Sequence, residues 1–177
     1  FEKIDVGGVV EITGSAKGES VDVGGTVRVG GSFQLSGKLD VGGRVEAEGD
    51  LSARDVDVGG SLKAKAVTAS NEVDVGGSIT TVNGVSASSV RIGRRGEVAG
   101  LLRADNVVIG ERAHVEDVYG KTITVEERVH IRNLYGERVN IEAHCHISGE
   151  VQFTESLRTE EGVFFAKLPT KVGKLPQ

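Results

Sequence analysis

Apolar residues along this chain come in alternating pairs, and the pairs recur about every six residues, as in Val21/Val23, Val27/Val29, Phe33/Leu35 and Leu39/Val41. Period two within a pair is the signature of a strand with one buried face. Three pairs fill the interval before the pattern returns, which predicts three short strands per turn joined at three corners, a triangular prism. The return is marked by Asp-Val-Gly-Gly, starting at Asp5, Asp22, Asp40, Asp57 and Asp74 at intervals of 17, 18, 17 and 17 residues. In the same phase the column of Val73 to Gly76 continues through Val90-Arg91-Ile92-Gly93, Val107-Val108-Ile109-Gly110, Ile123-Thr124-Val125-Glu126 and Val139-Asn140-Ile141-Glu142, at intervals of 17, 17, 16 and 16. A unit this short cannot bury a core alone; stacked copies can. The expected fold is all-β, a single-stranded triangular β-helix of nine to ten coils of 16–18 residues.

The inward columns are expected to run the length of the chain. Val45/Ala47, Leu62/Ala64, Ala113/Val115, Val129/Ile131 and Cys145/Ile147 are assigned to one column of pairs on the second face. Leu51/Ala53, Val85/Ala87, Leu102/Ala104, Leu134/Gly136 and Val151/Phe153 are assigned to the third. Leu157, Val163 and Phe165 keep the phase into a partial tenth coil. Both prolines, Pro169 and Pro176, lie beyond it. Because Pro cannot continue a ladder, residues 1–167 are read as the repeat domain and 168–177 as an extended or mobile tail.

Composition narrows the picture. Glycine accounts for 26 residues, which tight corners require for positive φ or close backbone approach. Aromatic content is only 4%, suited to a thin prism filled by Val, Ile, Leu and Ala. Net charge is −5 and uneven: residues 1–89 hold 8 Lys/Arg against 13 Asp/Glu, and residues 90–177 hold 13 of each. This argues against a nucleic-acid partner, which calls for a basic stripe with stacking aromatics. No apolar run is long enough to span a membrane. The single cysteine excludes an internal disulfide. The absence of methionine leaves room for a flanking domain or targeting segment.

Several constellations could carry chemistry. Asp5, Asp22, Asp40, Asp57 and Asp74 should stack outward, either accepting hydrogen bonds from the corner glycine N–H groups or holding cations. His114, His130 and His146 should form an outward ladder beside His144; zinc favours three imidazoles, but rings in a ladder do not converge on one ion. Tyr119 and Tyr135 follow Arg103 in one outward column. Cys145 is assigned to the core, and Arg91, Arg94 and Arg95 to a basic corner. No nucleophile elbow, zinc-protease helix or phosphate loop is present. No cofactor is called for.

A solenoid exposes unpaired strands at its two ends, which must be capped or must pair with another chain. Ile4, Val6, Val10 and Ile12 at one end and Val163, Phe164 and Phe165 at the other are the candidate self-association surfaces.

The segment from Val90 to Phe153 resembles the bactofilin family of polymer-forming cytoskeletal proteins. The resemblance is carried by Val90-Arg-Ile-Gly-Arg-Arg-Gly-Glu-Val-Ala-Gly-Leu-Leu-Arg-Ala, Asn106-Val-Val-Ile-Gly-Glu-Arg-Ala-His-Val and Val139-Asn-Ile-Glu-Ala-His-Cys-His-Ile-Ser-Gly-Glu-Val. It implies a right-handed β-helix that polymerises end to end without nucleotide and scaffolds other proteins, often at a membrane. The corners of variable length also argue against the strict hexapeptide left-handed helix. The expected function is therefore a non-enzymatic, cytoplasmic structural polymer, with scaffolded proteins or a membrane surface engaged through flanking segments. Two alternatives belong to other classes: a trimeric metalloenzyme of the carbonic anhydrase or acyltransferase type using His114, His130 and His146, and a rigid spacer within a larger protein.

Overall fold

A computed structural model describes all of residues 1–177 as twenty strands, with no helix, joined in one continuous parallel ladder. Each strand pairs with the equivalent strand one coil later. On face 1 the inward register runs Ile4↔Val21↔Leu39↔Val56↔Val73 and then Val73↔Val90↔Val107↔Ile123↔Val139↔Leu157. The chain is thus a β-solenoid of ten coils. Identical phase, coil after coil, brings like residues together because a one-residue slip would turn every apolar side chain outward. Forty-four buried apolar residues form one core along the axis.

The two halves build their corners differently. In coils one to five, face 1 passes to face 2 through Gly-Gly, so that three residues, Gly76-Gly77-Ser78, separate Val75 from Ile79. From coil six the same corner is longer: five residues, Gly93-Arg94-Arg95-Gly96-Glu97, separate Ile92 from Val98, the next inward residue in the Ile79 column. The third residue of each long corner lies in the left-handed region, at Arg95 (φ 61°), Arg112 (φ 61°), Arg128 (φ 59°), His144 (φ 61°) and Gly162 (φ 73°). Later corners tighten in compensation, and the strands bend round them without a break, as in His114–Val125 and His130–Ile141.

This longer corner corrects the face 2 column expected from sequence. The register is Val45↔Leu62↔Ile79↔Val98↔Val115↔Ile131↔Ile147↔Phe165, so Val115 continues Val45 rather than Ala47. Ala113, Val129 and Cys145 are fully buried, but they belong to the corner itself. Glycine's role is also narrower than expected. None of the Asp-Val-Gly-Gly glycines has positive φ, a torsion confined among glycines to Gly84, Gly100 and Gly162.

The tail is a further correction. Thr170–Lys171 pairs with Gln152–Phe153, and the Val172 N–H donates to the Phe153 carbonyl at 2.9 Å. The tenth coil therefore extends past 167. Beyond it the chain returns along face 3, where the Tyr119 hydroxyl donates to the Pro176 carbonyl.

Candidate functional site

The aspartate column is assembled as expected: Asp5, Asp22, Asp40, Asp57 and Asp74 occupy successive rungs, and Arg91 ends the row. Its hydrogen bonding differs from the expectation. The corner N–H groups donate to backbone carbonyls of the preceding coil, with Gly25 on Val6 at 2.8 Å, Gly43 on Val23 at 2.8 Å and Gly77 on Val58 at 2.9 Å. Backbone groups already aligned by the ladder reach each other before a side chain can compete. The carboxylates are offset instead by cations on the same face. Lys38 reaches both Asp40 and Asp57 at 3.2 Å, and Lys3 reaches Asp5 at 3.3 Å. Lys38 is held protonated above the usual lysine range, chiefly by its hydrogen bond to Asp40. Asp74 is raised by burial first and then by Asp57, with Arg91 opposing.

The three candidate zinc histidines form a stack. His114 lies over His130 with ring centroids 4.8 Å apart and an interplanar angle of 2°, and His130 over His146 at 5.6 Å and 28°. The stack ends on Phe164, 4.6 Å from His146. Parallel rings aim their in-plane nitrogens side by side, whereas a tetrahedral ion needs them to converge. No three His, Cys, Asp or Glu side chains come together as a metal site. Burial, with His114 and His146 beside it, pushes His130 below the ordinary histidine value. His144 sits apart, in the left-handed corner position.

Tyr119 stacks on Tyr135 at 4.7 Å, and the Arg103 guanidinium carbon lies 5.1 Å from the centre of the Tyr119 ring. Cys145 is buried, its Sγ 2.9 Å from the Glu126 carbonyl oxygen, and burial raises its thiol pKa. It packs as a small apolar residue with a weak donor. In the basic corner, Arg94 and the later corner residues Arg112 and Arg128 converge on Glu111 at 3.3, 3.3 and 3.4 Å. Glu111 was not singled out from the sequence, although the recurring Glu-Arg of these corners was its signal. A second unforeseen group joins adjacent coils: Asn133 donates to Asp117 at 2.8 Å and accepts from the Glu150 N–H at 2.8 Å, while Arg132 Nε donates to Asp117 at 2.9 Å.

The coil ends remain. Lys3–Val6, Val9–Ile12 and Ala16–Gly18 each pair only with the second coil, which leaves their outer edges unpaired. Ile4, Val10 and Ile12 are half-buried, packed on the core from one side; Val6 is already buried within the chain. At the other end Val163 and Phe165 are half-buried, whereas Phe164 points outward at the foot of the histidine stack. Ile4, Val10 and Ile12 at one end, and Val163 and Phe165 at the other, are therefore placed to extend the core, while Val6 and Phe164 are not. No family model matches the chain, nor does any curated protein or solved structure to which it was compared. No helix is long and apolar enough to cross a membrane.

Proposed function

We propose that this chain is a non-enzymatic structural protein of bactofilin type, which self-assembles end to end into nucleotide-independent filaments and serves as a cytoplasmic scaffold. The observation that supports this reading is the state of the end coils, where unpaired strand edges frame half-buried core residues. An exposed edge is a template for another strand. Stacking a second solenoid there continues both the ladder and the core, with no cofactor. The side-chain ladders serve the same purpose along the axis, since each joins one coil to the next. Proteins or membranes to be scaffolded would be engaged through flanking segments or the outer faces.

The test is negative-stain microscopy and sedimentation of the purified chain with EDTA and without nucleotide. Thin unbranched filaments are expected. Val10→Glu and Phe165→Glu should each disperse them while circular dichroism retains the β-spectrum. Discrete particles from the unaltered chain, or filaments that survive both substitutions, would overturn the reading.

A further inference from the structure

Face 1 divides its charge along the axis. In coils one to five its two outward rows carry the five column aspartates together with Asp55 and Glu72, opposed only by Lys3 and Lys38. In coils six to ten the same rows carry Arg91, Arg138 and Arg158 and no acid, with uncharged residues between them. Neutralisation within the chain is incomplete. Lys38 and Lys3 serve Asp40, Asp57 and Asp5, Arg54 at the neighbouring corner serves Asp55 at 2.7 Å, and Arg138 reaches Glu155 at 2.9 Å, which leaves Asp22, Glu72, Asp74, Arg91 and Arg158 without an ion-pair partner. The face is a parallel sheet whose outward side chains are mostly short.

We propose that face 1 is a pairing surface for a second copy of this chain laid antiparallel to the first. A twofold axis lying in the plane between the two faces, across their middle and perpendicular to the solenoid axis, puts the acidic half of each copy on the basic half of the other. Counting rungs from the two ends sets Asp5 level with Arg158, Asp22 with Arg138 and Asp74 with Arg91. A parallel arrangement would set one aspartate column against another and is excluded by the same charges. Such an interface is isologous, the commonest closed symmetry. Ten rungs about 4.8 Å apart, each about 13 Å wide, offer roughly 600 Å² per copy, towards the low end of stable interfaces at about 800 Å² per partner. Pairing through a side face leaves both coil ends free, so the proposal stands with or without end-to-end assembly.

The experiment uses the full chain and two charge-reversed variants, Arg138→Glu/Arg158→Glu and Asp5→Lys/Asp22→Lys. Sedimentation velocity reads pairing of discrete particles; microscopy reads paired against single filaments if the chain polymerises. The unaltered chain should pair at about 50 mM salt and weaken at least about tenfold by about 500 mM, because exposed charges are screened. Each variant alone should weaken pairing at least about tenfold, and an equimolar mixture of the two should restore it, since one then presents an acidic face and the other a basic one. Salt-independent pairing, variants that pair like the parent, or a mixture that stays unpaired would overturn the proposal, as would a parent chain that never pairs.

Discussion

Gly25, Gly43, Gly60 and Gly77 are confined to glycine by the coil beneath them. A Cβ at any of these positions would collide with the carbonyl oxygen of the corresponding glycine one coil earlier, whereas a Cβ at Gly24, Gly42, Gly59 or Gly76 meets only ordinary contacts. The two glycines of one corner therefore differ sharply. Gly60→Ala should destabilise the chain by about 2 kcal/mol or more, because backbone in the ladder cannot move aside. Gly59→Ala should be neutral or stabilising by up to ~1 kcal/mol, through the reduced freedom of the unfolded chain; urea denaturation of both variants checks the contrast. The long corners carry a different burden. Arg95, Arg112, Arg128 and His144 hold φ near 60°, a conformation that costs a side-chain-bearing residue on the order of 1 kcal/mol. The tenth coil places Gly162 at that position, and Arg95 has no ion-pair partner to lose. Arg95→Gly is expected to keep or raise the melting temperature, and a clear loss would mean that the arginine contributes more than its torsion costs.

Strands and corners show what the amino-acid pattern makes legible. Alternating pairs and the Asp-Val-Gly-Gly phase place every inward residue of face 1, because a period of two next to a fixed corner leaves no freedom of register. The long corner was not legible. An apolar residue such as Ala113, Val129 or Cys145 reads the same whether it lies on a strand or rounds a corner, and the alternation with Val115, Ile131 and Ile147 is unbroken. Pro169 suggested the end of the ladder, yet a proline immediately before a short edge strand forfeits no needed donor, and Thr170–Lys171 pairs beyond it. Of the candidate sites, the outward ladders were visible as columns of like residues. Their caps were not, because the amino-acid pattern groups Phe164 with Val163 and Phe165 as an end surface rather than placing it at the foot of the histidine column, where it stacks on His146. The histidine ladder also makes the solenoid sensitive to pH. His130 is depressed in the folded chain, so below its ordinary pKa of 6.5 the unfolded chain binds a proton that the folded one resists. Its contribution to stability is thus fully present above pH 6.5 and is lost progressively as pH falls from there through the lower folded value. His130→Phe, which keeps an aromatic ring between its neighbours, should reduce the drop in melting temperature between about pH 7.5 and about pH 5.5; an undiminished drop would place the sensitivity elsewhere.

A solenoid is stabilised by contacts between neighbouring coils, so its parts should be interchangeable wherever their corners match. Coils four and five match: Val56↔Val73 and Val58↔Val75 are direct partners, and both coils use the Gly-Gly corner. Excising Val56 to Glu72 removes one interval of the register and joins Asp55 to Val73, in the position Val56 had held. Everything downstream keeps its face. The shortened protein should fold as a nine-coil solenoid with the same β-spectrum, and its cooperative melting should fall only slightly, since one coil interface is lost and no new edge is created. Excising Val56 to Asn71 instead leaves one residue too many, and the strand after the junction must bulge or turn its apolar side chains outward. That variant should lose on the order of several kcal/mol, the cost of exposing two or three core side chains. Equal stability of the two deletions would show that corners absorb register freely, and would remove the argument that the repeat phase specifies this fold.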